Sequence, residues 1–235
     1  MQAEGKVIEL VRLGGLTAAY ISCPPRIVPS PGAYLLAFKP GGDSAVAVPV
    51  FPAKSFIHSN RNVTNGFLMA PPLPESWTPG TRLHLRGPLG HGFKIPSSAR
   101  RIALVAFDST PLRLLSLVDV AFDQGAELTL LCESPVDDLP LKVEVQPRSA
   151  LADIYGWSDF IAFDLARESL HLLKQNLVKI GVQKIQAEAQ VLIRTPMPCG
   201  GLAECGVCTV ETRSGPKLAC VDGPVFDLKS LLLKI

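Results

Sequence analysis

Short apolar stretches broken by glycine and proline fill the first hundred residues; longer apolar stretches, alternating with helix-spaced ones, fill the next ninety. Residues 6–22, KVIELVRLGGLTAAYIS, place apolar and β-branched positions on both sides of Gly14-Gly15, which predicts two strands and a turn. AYLLAF (33–38) and VAVPVFP (46–52) read as further short strands, with Pro49 favouring an edge or a bulge. TRLHLRGPLGHGF (81–93) alternates Leu83 and Leu85 with polar residues, then breaks into a glycine-rich loop. Many short strands between turn residues predict a small antiparallel barrel over residues 1–98.

From Arg100 the period changes. RRIALVAF (100–107), AELTLLCES (126–134), LKVEVQP (141–147), DFIAFDL (159–165) and KIQAEAQVLIRT (184–195) read as strands. PLRLLSLVDVAFDQG (111–125) and ARESLHLLKQNLVKIG (166–181) carry apolar residues at helical spacing and each ends at a glycine. Strands alternating with helices predict a parallel sheet of the nucleotide-binding kind over residues 99–190. A third segment, 191–235, holds most of the cysteines.

Composition narrows the function classes. A net charge of +2 with 19% charged residues gives no electrostatic case for nucleic acid. No apolar run approaches a bilayer span, and the N-terminus has no apolar signal core, so we expect a soluble cytoplasmic protein. His58, His84, His91 and His171 are scattered and read as surface or loop residues. Cys132 reads as core packing, Cys23 has no evident partner, and Asp119, Asp123, Asp137 and Asp138 read as solvated faces.

Four of the six cysteines, Cys199, Cys205, Cys208 and Cys220, follow a C-x5-C-x2-C-x11-C pattern. Three thiols within ten residues, interleaved with Gly200, Gly201 and Gly206, predict a tight loop whose backbone N–H groups point at one centre. A fourth thiol arriving from a following turn completes the ligand set of a 2Fe-2S cluster, two thiolates per iron. Zinc is the alternative, although only Cys205 and Cys208 form the close pair typical of zinc sites. A disulfide framework fits poorly with a chain of this size and no secretory signal.

The run CGGLAECGVC, followed by Cys220 and VDGPVF, resembles the C-terminal segment of dihydroorotate dehydrogenase electron-transfer subunits. The GPLGHGF loop is similar to the loop that closes the flavin-binding barrel of that ferredoxin-reductase-like family. The resemblance implies a 2Fe-2S cluster on the four cysteines. It also implies a role in pyrimidine biosynthesis and a hetero-oligomer with an FMN-containing, dihydroorotate-oxidising catalytic subunit. It would further place FAD contacts at Pro52, Ser55, Gly87, Pro88, Leu89 and Gly90.

Two departures from that family cut the other way. Its Arg-Pro-x-Ser/Thr flavin motif is replaced by VPVFPAKS (48–55), and Lys54 cannot supply the bidentate fork that suits a diphosphate. The triple-glycine turn of related reductases is replaced by Phe107-Asp108-Ser109-Thr110-Pro111, and their Cys-Gly-Pro segment by Asp164-Leu165-Ala166-Arg167. The expectation is an electron relay that passes electrons through the cluster to or from a flavoprotein partner, without binding NAD(P)H and with FAD retention in question. The rivals are an active NAD(P)H-dependent FAD/2Fe-2S reductase and a zinc-binding structural or assembly subunit.

Overall fold

A computed structural model describes residues 1–41, 46–56, 65–108, 110–134, 136, 139–181 and 187–232. His58, Ser109, Asp137, Asp138 and residues 184–186 of the last expected strand lie outside the described residues.

Strands β1 (Gln2–Leu13) and β2 (Leu16–Ser22) form the expected hairpin, turning at Gly14 and Gly15 with φ of 53° and 78°. Primed turns match the strand twist, and the one used here needs positive φ at both central residues, which glycine adopts freely. β3 (Tyr34–Phe38), β4 (Val48–Val50), β5 (Pro52–Phe56), β6 (Gly66–Met69) and β7 (Arg82–Leu89) complete the unit. Among the described residues these seven strands pair antiparallel in the order β4-β3-β7-β1-β2-β6-β5. The two edge strands, β4 and β5, are separated in sequence by Phe51 alone. The sheet must therefore curl until its edges meet, which makes it a barrel. Alternating inward residues, among them Val7, Ile21, Leu35, Phe67, Leu83 and Leu85, fill its interior.

The second unit comprises β8 (Arg101–Ala106), α1 (Ser116–Asp123), β9 (Glu127–Leu131), β10 (Val143–Gln146), α2 (Leu151–Trp157), β11 (Phe160–Ala166), α3 (Leu170–Lys179) and β12 (Glu188–Arg194). Its five strands run parallel in the order β10-β9-β8-β11-β12. β8 and β11 read as near-continuous apolar runs because helices cover both faces of a parallel sheet. The expected helix over 111–125 is shorter. Pro111 opens a tight turn over Pro111–Arg113, with the Thr110 hydroxyl accepting from the Leu112 N–H, before α1 begins. Helix α2 escaped the period analysis because it is two turns long and contains β-branched Ile154 and Gly156.

The remaining chain forms a hairpin of β13 (Thr209–Thr212) and β14 (Gly215–Leu218), then β15 (Val225–Asp227) and α4 (Leu228–Leu231). β15 pairs antiparallel with β12 as the sixth strand of the α/β sheet. The cysteine segment is thus built into the body at both ends.

Barrel and α/β unit meet at the C-terminal ends of β8 and β11, where open α/β folds take their ligands. Here the crevice is filled by the chain itself. Leu112, 1% exposed, packs with Ala53, Leu68 and Ala70 of the barrel. Beside it the buried Arg113 donates to Asp164 Oδ2 at 3.3 Å and to the Pro71 carbonyl of the barrel. Arg194 donates to Asp164 Oδ1 at 2.8 Å and to Asp108, whose second oxygen accepts the Ala166 N–H at 2.8 Å. Burial lowers the Arg113 pKa from its ordinary range, and Asp164 opposes that effect.

A buried guanidinium stripped of its carboxylate is costly, so Asp164→Asn should lower the unfolding free energy by about 3 kcal/mol or more. The exposed Lys54→Ala should stay within about 0.5 kcal/mol of the parent. Urea unfolding curves of the two variants test the contrast.

Candidate metal centre

The loop from Cys199 to Cys208 is left-handed at four positions, Gly200, Gly201, Ala203 and Gly206, with φ between 64° and 69°. Three are glycines, which enter this region without a Cβ penalty. Alternating handedness turns consecutive N–H groups inward and makes an anion-binding nest. The N–H groups of Leu202, Glu204 and Cys205 bond toward the Cys199 thiol, and that of Ala203 toward Cys220.

The neighbouring thiol that weighs most on Cys199 is Cys205, and on Cys220 it is Cys208, so the four group as two pairs. Among the described residues, no three His, Cys, Asp or Glu side chains gather as ligands of a single ion. The pairs differ in setting, since Cys205 is exposed and Cys199 half-buried, while Cys208 and Cys220 are buried. Their acidities differ accordingly. The hydrogen bond from Cys205, aided by the loop N–H groups, brings Cys199 down to about 6. Burial, aided by Cys208, pushes Cys220 up to about 11. The sulfurs, soft donors lined by N–H groups, fit an iron–sulfur centre.

The centre is docked on both larger units. Tyr34 of β3, fully buried and packed on Phe51 at 5.7 Å between ring centroids, donates its hydroxyl to the Cys220 carbonyl at 3.0 Å. Arg86 of β7 donates to the Gly200 carbonyl at 2.9 Å and to that of Gly201 at 3.4 Å. From the α/β unit, Arg167 reaches the carbonyls of Val207 and Thr209. Asp222 fixes the turn after Cys220 by accepting the Leu218 N–H at 2.8 Å, which explains an acidic residue at that place in the VDGPVF run.

The FAD-candidate residues divide between two places. Pro52 is buried and Ser55 half-buried on β5, the strand whose Ala53 lies with Leu112. Gly87, Pro88, Leu89 and Gly90 lead into His91, which exchanges backbone hydrogen bonds with Gly223 and Val225 and whose ring meets the Asp222 carbonyl at 3.0 Å. A Cβ on Gly90 would lie 2.6 Å from the Gly223 oxygen, so glycine is required there by the cysteine segment itself. His91, expected as a loop residue, is one, and it is also a brace. A cavity of about 520 Å³, lined by Leu36, Phe38, His84, Arg86, Cys199 and Leu202, separates the barrel wall from the loop.

Tyr34, Arg86 and Arg167 were not singled out from the sequence. The one available signal was Arg86 standing directly before the GPLGHGF loop.

Comparison with known proteins agrees with this geometry. Residues 195–232 match the family model described as the iron–sulfur cluster binding domain of dihydroorotate dehydrogenase B. The chain is 24% identical over 168 residues to the electron transfer subunit of dihydroorotate dehydrogenase B (NAD(+)) from Clostridium acetobutylicum, covering 66% of each chain. It is 26% identical over 162 residues to that of Clostridium perfringens, covering 63% of this chain and 65% of the relative. The matched stretches thus span just under two thirds of the relatives' length. In fold, the chain is similar to a structure reported for the NADH-dependent reduced ferredoxin-NADP oxidoreductase, at a TM-score of 0.70 and 17% identity, covering 97% of this chain and 92% of that one. The ferredoxin reductase of carbazole 1,9a-dioxygenase follows at a TM-score of 0.61 and 16% identity, covering 81% and 68%. The resemblance read from the cysteine segment and the ferredoxin-reductase-like architecture are both borne out.

Tyr34→Phe should leave the Cys220 carbonyl without its partner and cost about 1–3 kcal/mol, measurable by chemical denaturation of the metal-free protein.

Proposed function

We propose that the chain is an iron–sulfur electron-transfer subunit carrying one 2Fe-2S cluster, with Cys199 and Cys205 on one iron and Cys208 and Cys220 on the other. The observation that carries this reading is the left-handed loop that holds Cys199, Cys205 and Cys208, within the stretch matching the iron–sulfur cluster binding domain. Zinc would draw all four sulfurs to about 2.3 Å from a single point, and paired thiols suit two metals better. When bound, such a cluster takes up and releases one electron at a time. The chain's own contribution is to hold the sulfurs, to aim N–H groups at them, and to keep one side of the site buried.

Cys205 and the half-buried Cys199 mark the side open to a partner. Leu202, Val207 and Val221, all large, apolar and exposed, lie in the same segment, as an interface for another protein would require. The relatives' subunit name supports a catalytic partner subunit, and we assign it as an FMN-containing, dihydroorotate-oxidising subunit in a hetero-oligomer, in a reducing cytoplasm. The crevice filled by Leu112 and the Arg113–Asp164–Arg194–Asp108 network supports a relay that binds neither NAD(P)H nor FAD in that cleft.

Anaerobically purified protein should contain about two irons and two acid-labile sulfides per chain and release no flavin on denaturation. Cys208→Ser should abolish or sharply reduce the iron content. A colourless protein with about one zinc per chain would overturn the reading. A yellow protein bleached by NADH would restore the reductase alternative.

A further inference from the structure

The cysteine loop is gripped by cations from two directions. Arg86 projects from the barrel strand β7 and donates to the carbonyls of Gly200 and Gly201, the two residues that follow Cys199. Arg167 follows β11 of the α/β unit, at the place where related reductases carry their Cys-Gly-Pro segment. It donates to Val207, next to Cys208, and to Thr209 at 3.2 Å. Arg86 therefore holds the backbone beside Cys199, and Arg167 holds it on both sides of Cys208.

We propose that Arg86 and Arg167 are positioning residues that fix the loop and raise the reduction potential of the cluster, with Arg86 the stronger of the two. This deepens the electron-transfer reading and rests on it. The physical basis is charge. One-electron reduction, with the electron supplied by an external reductant, adds one negative charge to a centre already surrounded by four thiolates. A nearby fixed cation stabilises that reduced state, and the cluster's potential follows net charge and hydrogen bonding. Carbonyls that accept from a guanidinium also turn their negative ends toward it.

The two arginines should not count equally. Arg86 is half-buried and, among the described residues, pairs with no carboxylate. Arg167, also half-buried, shares its charge with the exposed Glu168 at 3.2 Å. A carboxylate that close offsets part of the cation's field at the cluster. The Arg86 contribution should therefore be the larger of the two.

The test is a redox titration with dithionite and mediators, followed by electron paramagnetic resonance of the reduced cluster in the full chain. Arg86→Gln should shift the midpoint to lower potential, Arg167→Gln should shift it less, and Arg86→Lys should recover most of the Arg86→Gln loss because the charge returns. Hydrogen exchange of residues 199–208 in the metal-free protein should be faster in Arg86→Gln than in the parent. A cluster present in Arg86→Gln at the parent's potential overturns this inference and leaves the electron-transfer reading standing. Equal shifts in the Gln and Lys variants also overturn it, since charge would then not be the cause. If Arg86→Gln cannot be loaded with iron, unchanged exchange in its metal-free loop overturns it. A parent chain that takes up neither iron nor sulfide overturns both readings together.

Discussion

A loop with four residues in the left-handed region cannot close on itself as a helix or strand would, so its shape must be imposed from outside. The bond from the Tyr34 hydroxyl to the Cys220 carbonyl is the centre of that imposition. It joins the barrel strand β3 to the turn that brings the fourth thiol. The Tyr34 ring is fully buried, and Gly90 and Gly201 both lie close enough that a side chain on either would press on it. Remove the barrel and the cysteine segment loses its floor. Remove the segment and the GPLGHGF loop loses what it closes on.

The cleft between the units follows the same logic of internal contacts replacing external ones. In an open α/β sheet the ends of the central strands leave polar backbone and room for an anionic ligand. Here two carboxylates and two guanidiniums take that room, and each charge is met by an opposite one. The apolar contact of Leu112 with the barrel closes the remainder. The result is a body whose two larger parts are fixed relative to one another.

Much of this was legible in the sequence because it is local. The Gly14-Gly15 hairpin, the apolar runs at β8 and β11 and the spacing of the four cysteines are all written within a few residues. The same holds for the missing glycines at Phe107–Pro111. What stayed hidden depends on residues far apart in the chain. Tyr34 and Cys220 are separated by 186 positions, Arg86 and Gly200 by 114. An aromatic in an apolar run and an arginine at a strand end have no periodic signature that marks them as struts. Helix α2 was hidden for the opposite reason, being too short to show a period at all. The GPLGHGF loop was visible as a motif, but the packing of its glycine at position 90 on the distant Gly223-Pro224 turn was not.

The pairing of β15 with β12 ties the cysteine segment to the flank of the sheet. Three residues beyond the last cysteine turn cap the open flank of the parallel sheet, so the redox segment doubles as the lid on an otherwise adhesive row of backbone donors and acceptors. Shedding the cofactor-bearing tail would thus leave not a smaller stable protein but a sticky one.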